Sequence, residues 1–181
     1  EKFNEKIMCA HLDFGKVSSE QMPFVKLLNN GAFDDDCDLI PPKSWIYQPE
    51  WTKLIENAKP NYLKYLNLGA IYLVDENFDK AEDACNKALS YKETPTALFI
   101  LAQVKINKNE IDEATKLLVK ACKILPNDLT LARESLRFLI DSKKYSEALE
   151  VYNILNKEIQ DDGRVTMYYC FAILHTGNVD K

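Results

Sequence analysis

"YLNLGAIYLVDENFDKAEDACNKAL", residues 65–89, decides how this chain is read. Apolar or small residues fall at Tyr65, Leu68, Gly69 and Tyr72, then after a polar break at Phe78, Ala81, Cys85 and Ala88. Steps of three and four residues follow the helical period, so each run makes one apolar stripe on an amphipathic helix. "DEN", residues 75–77, is the turn between the two helices.

The pattern returns downstream. In residues 98–126 Leu98, Leu101 and Ala102 mark a first helix, and Ile111, Ala114, Leu118 and Ala121 mark a second. Ala81 to Ala114 and Ala88 to Ala121 are each 33 residues apart, and Ala148 lies 34 beyond Ala114. A third pair of helices therefore runs through about Leu129–Ile140 and then "ALEVYNIL". A further first helix, "RVTMYYCFAILHT", follows Gly163 and ends near Gly177.

The period and the positions of the small residues resemble the tetratricopeptide repeat (TPR), a 34-residue helix–turn–helix unit. The likeness rests on Tyr65-x2-Leu68-Gly69-x2-Tyr72, on Ala81-x3-Cys85 with Ala88, and on Pro126 closing the second copy. It covers residues 60–181, with 1–59 left as an N-terminal cap and linker. The resemblance implies an all-α fold whose helix–turn–helix repeats form a right-handed superhelix. Two departures stand out. Leu136 occupies the small position equivalent to Gly69, and Leu155 replaces the alanine equivalent to Ala88.

Within the first sixty residues, "SSEQMPFVKLLNNGAF" predicts a short helix capped by Ser18 or Ser19 and stopped at Gly31. Another is predicted from near Pro49 to about Ala58. Trp45 and Trp51 are expected to anchor this segment on a helical core, with carbohydrate or peptide contact as the alternative. "FDDDCD" offers Asp34, Asp35, Asp36 and Asp38, but without EF-hand spacing, so it reads as a solvated loop. "GAFDDDCDLIPPKSWIYQPEW" and the later "DGRV" also resemble the C-terminal part of large bacterial proteins. In those an all-β domain, similar to the mutarotase-like supersandwiches of carbohydrate enzymes, precedes TPRs. That resemblance implies a helical part of a larger protein, and the alternative function of an accessory domain in a carbohydrate-active enzyme.

Catalytic chemistry finds no foothold. There is no phosphate-binding glycine loop and no G-x-S-x-G. Five scattered cysteines without a CxxC, and only His11 and His175, suggest neither a metal site nor a disulfide framework. Reduced, mostly buried thiols in a cytoplasmic protein are expected, with no cofactor. His175 reads as a packing or capping residue. A net charge of -5 argues against nucleic acid and anionic membrane as partners, and no apolar run is long enough to span a bilayer.

Binding is the better class of function. The TPR resemblance implies a concave groove lined by first helices, and its phase selects the inner residues. They are Leu63, Leu66, Ala70 and Leu73; then Phe99, Gln103 and Ile106; then Arg133 and Arg137; then Met167 and Phe171. Such a groove is apolar at one end and carries two arginines further along. The Lys/Asn/Arg clamp with which chaperone-binding TPRs hold a peptide carboxylate is not supported, because its early positions are Leu, Phe and Ile here. A protein or peptide partner is expected, or cover by the chain's own N-terminal segment, an upstream domain or a second copy as a homodimer. The last residues, "GNVDK", place Val179 where Phe78, Ile111 and Tyr145 begin their helices. The spacing predicts that the chain stops inside a repeat of a longer protein.

Overall fold

A computed structural model of the protein describes residues 22–33 and 48–177. Ser18, Ser19, the acidic run, Trp45, Cys9, Cys37, His11 and Val179 lie outside these. The fold is all-α: among the described residues there are ten helices and no strand. In order they are α1 Met22–Asn30, α2 Pro49–Asn57, α3 Tyr62–Val74, α4 Phe78–Tyr91, α5 Pro95–Asn107, α6 Ile111–Ile124, α7 Leu129–Asp141, α8 Tyr145–Ile154, α9 Lys157–Gln160 and α10 Gly163–Thr176. They belong to two compact units, Glu1–Glu93 and Thr94–Lys181.

Three consecutive pairs, α3/α4, α5/α6 and α7/α8, are helical hairpins with the same local chemistry. The N-caps of α3, α5, α7 and α10 are Asn61, Thr94, Asp128 and Asp162, successively 33, 34 and 34 residues apart. Each cap side chain accepts from a backbone N–H of the first turn, which satisfies a donor that has no partner within the helix. The turns repeat as closely. Glu76, Asn109 and Lys143 all have φ near +60°, and Gly177 continues the series. Behind them Asn77 N–H donates to Tyr72 O, Glu110 N–H to Lys105 O and Lys144 N–H to Leu139 O, each at 2.8 Å. These are Schellman closures, which satisfy the last carbonyls of each first helix and reverse the chain in three residues.

In the first unit the hairpin α3/α4 is joined to the N-terminal helices by one apolar cluster. Phe24 and Leu27 of α1, Phe33, and Trp51, Ile55 and Ala58 around α2 pack with Leu68, Ile71 and Ala84. The Phe24 ring meets Phe33 and Trp51 edge-on at 5.7 and 5.4 Å, so Trp51 is the anchor expected of it. Gly31, at φ +66°, ends α1, a conformation that costs a residue without a Cβ little. Two polar side chains staple the cluster. Asn61 donates to Phe33 O at 3.0 Å while capping α3, and Lys64 donates to Glu56 O and Ala58 O at 2.8 and 2.7 Å. The Lys64 ammonium thus covers the C-terminal carbonyls of α2, where a cation is favoured. Gly69 explains the closeness of α3 and α4: a Cβ there would stand 2.7 Å from Cys85 Sγ.

In the second unit α5/α6 repeats that packing with Ala102 in the small position, beside fully buried Ala114, Leu118 and Ala121. Lys105, almost buried on α5, pairs with Glu110 at 2.6 Å and Glu113 at 3.1 Å, which fixes the turn electrostatically. The third hairpin differs. Helix α8 has 10 residues against 14 in α6 and stops as the backbone becomes extended at Leu155. That residue is buried, Asn156 N–H donates to Pro126 O at 3.2 Å, and the one-turn helix α9 follows. A leucine in place of the alanine that lets two helices approach is accommodated by ending the helix there. The chain nonetheless re-enters α10 in phase, 34 residues after α7 begins.

Candidate interaction surface

Helix α10 packs against α7 and α8. Val165 and Ala172 are its fully buried residues. Tyr169 stacks on Tyr152 with centroids 3.9 Å apart, and His175 stacks on Tyr145 at 4.5 Å. His175 is therefore a packing residue, as expected. At the start of α10, Asp162 collects three donors. Its carboxylate accepts from Arg164 N–H at 3.1 Å, from Val165 N–H at 3.2 Å and from the Arg133 guanidinium, with Nε at 3.0 Å. The Arg133 hydrogen bond is the main reason its carboxyl is held down to about 2. This bidentate pair ties α7 to the cap of α10.

The selected groove residues separate into three groups. Leu66 is only 2% exposed and Ala70 is buried as well, so both are core residues of α3. Leu63 is half-buried and packs against the cluster built by α1 and α2, so the chain's own N-terminal helices cover it. Leu73, Phe99, Gln103 and Ile106 are half-buried on α3 and α5. Arg133 is half-buried and committed to Asp162. Arg137, Met167 and Phe171 are exposed, the last two by 55% and 45%.

Leu174, which sequence phase alone did not select, is 65% exposed. It lies one turn beyond Phe171, so α10 carries a stripe at positions 167, 171 and 174. Arg137, on the neighbouring α7, pairs with Glu134 at 2.6 Å on the same helix. An exposed pair of this kind contributes little to stability and exchanges its partner at small cost. The assembled chemistry is thus an apolar stripe on α10 beside a solvent-facing guanidinium on α7.

Nucleophilic chemistry is disfavoured at the buried thiols. Burial pushes Cys85 up to about 12 and Cys122 up to about 11, so both are protonated at neutral pH. No group of three or more His, Cys, Asp or Glu is placed to hold a metal among the described residues, and no helix there is long and apolar enough to cross a membrane. Comparison with known proteins finds no match among protein families, curated proteins or solved structures.

Proposed function

We propose that the chain is a non-catalytic, TPR-type scaffold that binds a protein or peptide segment along its first helices. The carrying observation is the joint recurrence, every 33–34 residues, of helix start, capping side chain and left-handed turn. A right-handed superhelix of such hairpins presents first helices on one concave side, in keeping with their repeated phase. Met167 and Phe171 supply the apolar anchors of this reading, and Arg137 supplies a contact for an acidic group on the ligand. The resemblance of the segment around residues 31–51 supports a place within a larger cytoplasmic bacterial protein.

Phe171→Asp and Arg137→Glu test the reading, because both side chains are exposed and their loss leaves the core intact. The wild type should cross-link to a defined protein that both variants fail to retain, with melting temperatures unchanged. Identical cross-linked sets from all three would overturn it.

A further inference from the structure

Each first helix has a second face besides the one just described. At Gly69 the nearest atoms belong to Cys85 and Ala81 of α4, which identifies that face as the seat of the hairpin partner. The same phase on α7 gives Ala132, Leu136 and Leu139, all fully buried. Thirty-four residues on, it gives Thr166, Cys170 and Ile173, of which the first two are exposed and the third half-buried. Leu174 extends the apolar character along one edge. Alpha10 thus has its contacts with α7 and α8 but leaves open a face that seats a helix in three preceding hairpins.

We infer that this face is a docking site for an amphipathic α-helix carrying two alanines seven residues apart. The occupant is specified by the interfaces the chain already makes. Alpha4 has Ala81 and Ala88 at that spacing, and α6 has Ala114 and Ala121, all fully buried. Small side chains on the incoming helix let its backbone approach α10, where Thr166 and Cys170 are themselves short. Leu174 and Ile173 then fill the gap, in the manner of a helix laid into a groove. The inference rests on the hairpin phase and stands independently of the peptide-binding reading above.

Cys170 reports on the face directly. The full 181-residue chain is alkylated with and without a synthetic peptide of the α6 sequence, residues 111–124, and modification of Cys170 is followed by mass spectrometry. Cys170 should react readily in the protein alone and slow by at least about fivefold in saturating peptide, since only the unliganded face reacts. The same peptide with Ala114→Arg should give no protection. Three outcomes overturn the inference. One is no slowing by the α6 peptide, and another is equal slowing by the Ala114→Arg peptide. The third is protection of Cys170 without peptide, either independent of protein concentration, as with cover by the chain itself, or rising with it, as with a second copy.

Discussion

The first and third hairpins solve one packing problem in opposite ways. In α3/α4 the small positions are Gly69 and Ala88, the helices close onto Cys85 and Ala81, and α4 runs 14 residues. In α7/α8 the same positions are Leu136 and Leu155, and the second helix ends after 10 residues. Two leucines add volume that a continuous helix has no room for, so the third hairpin fills its interior with side chains and shortens the element. Close approach and bulk are alternative ways to reach native packing density.

The sharpest way to break the third solution is Leu136→Ala, which removes its fully buried filler. A loss of about 2–5 kcal/mol is expected from chemical denaturation, the range for large-to-small changes in a core; a loss below about 1 kcal/mol would mean that α8 collapses onto α7. For the first solution, Gly69→Ala gains about 1 kcal/mol of helix propensity but meets Cys85, at an overpacking cost of about 1–3 kcal/mol. A net loss is expected, and adding Cys85→Ala should reverse its sign. If Gly69→Ala stabilises the wild-type background, Cys85 is not the limiting contact.

Asp162→Asn tests how the third hairpin holds its neighbour, and should lower the melting temperature at pH 7. Because Asp162 falls from about 3.8 unfolded to about 2 folded, its charge stabilises the fold fully above pH about 4. That contribution is lost as the pH falls through about 2, so the two proteins should converge there. A constant gap across that window would remove the carboxylate from the account. The smallest effect is expected at the turns, where Lys143→Gly should stabilise by about 0.5–1 kcal/mol by relieving a left-handed conformation. Asn109→Gly should gain less, because asparagine tolerates that conformation better.

Much of the fold was legible because its signals are local. Pro49, Phe78, Ile111 and Tyr145 begin the helices that spacing assigned to them, and Gly31 and Gly177 end theirs. The row of N-caps was there to be read at 61, 94, 128 and 162 but spans three residue types, so no single letter repeats. The left-handed turns hide similarly behind Glu, Asn and Lys, where glycine would have announced them. Helix α9 was missed, since one turn carries no period. The interaction surface was less legible, because exposure depends on neighbours distant in sequence. Phase selected both Leu66 and Met167, yet one is buried and the other open. Arg133 seemed available until its partner emerged 29 residues away.

The break after α8 bears on which length changes the chain tolerates. The third hairpin has a shortened helix and an extra turn, yet α10 starts where counting by 34 puts it. Residue number, rather than helix length, is what has been kept constant. Removing one residue between Leu155 and Asp162 would force α10 to rotate by about 100° to keep its place. Val165 and Ala172 would then swing out of the core and Arg133 would lose its acceptor. Gain or loss of a whole 34-residue unit preserves every one of these relations. Such a chain is expected to change length by copying or dropping entire hairpins, and to resist single-residue slips.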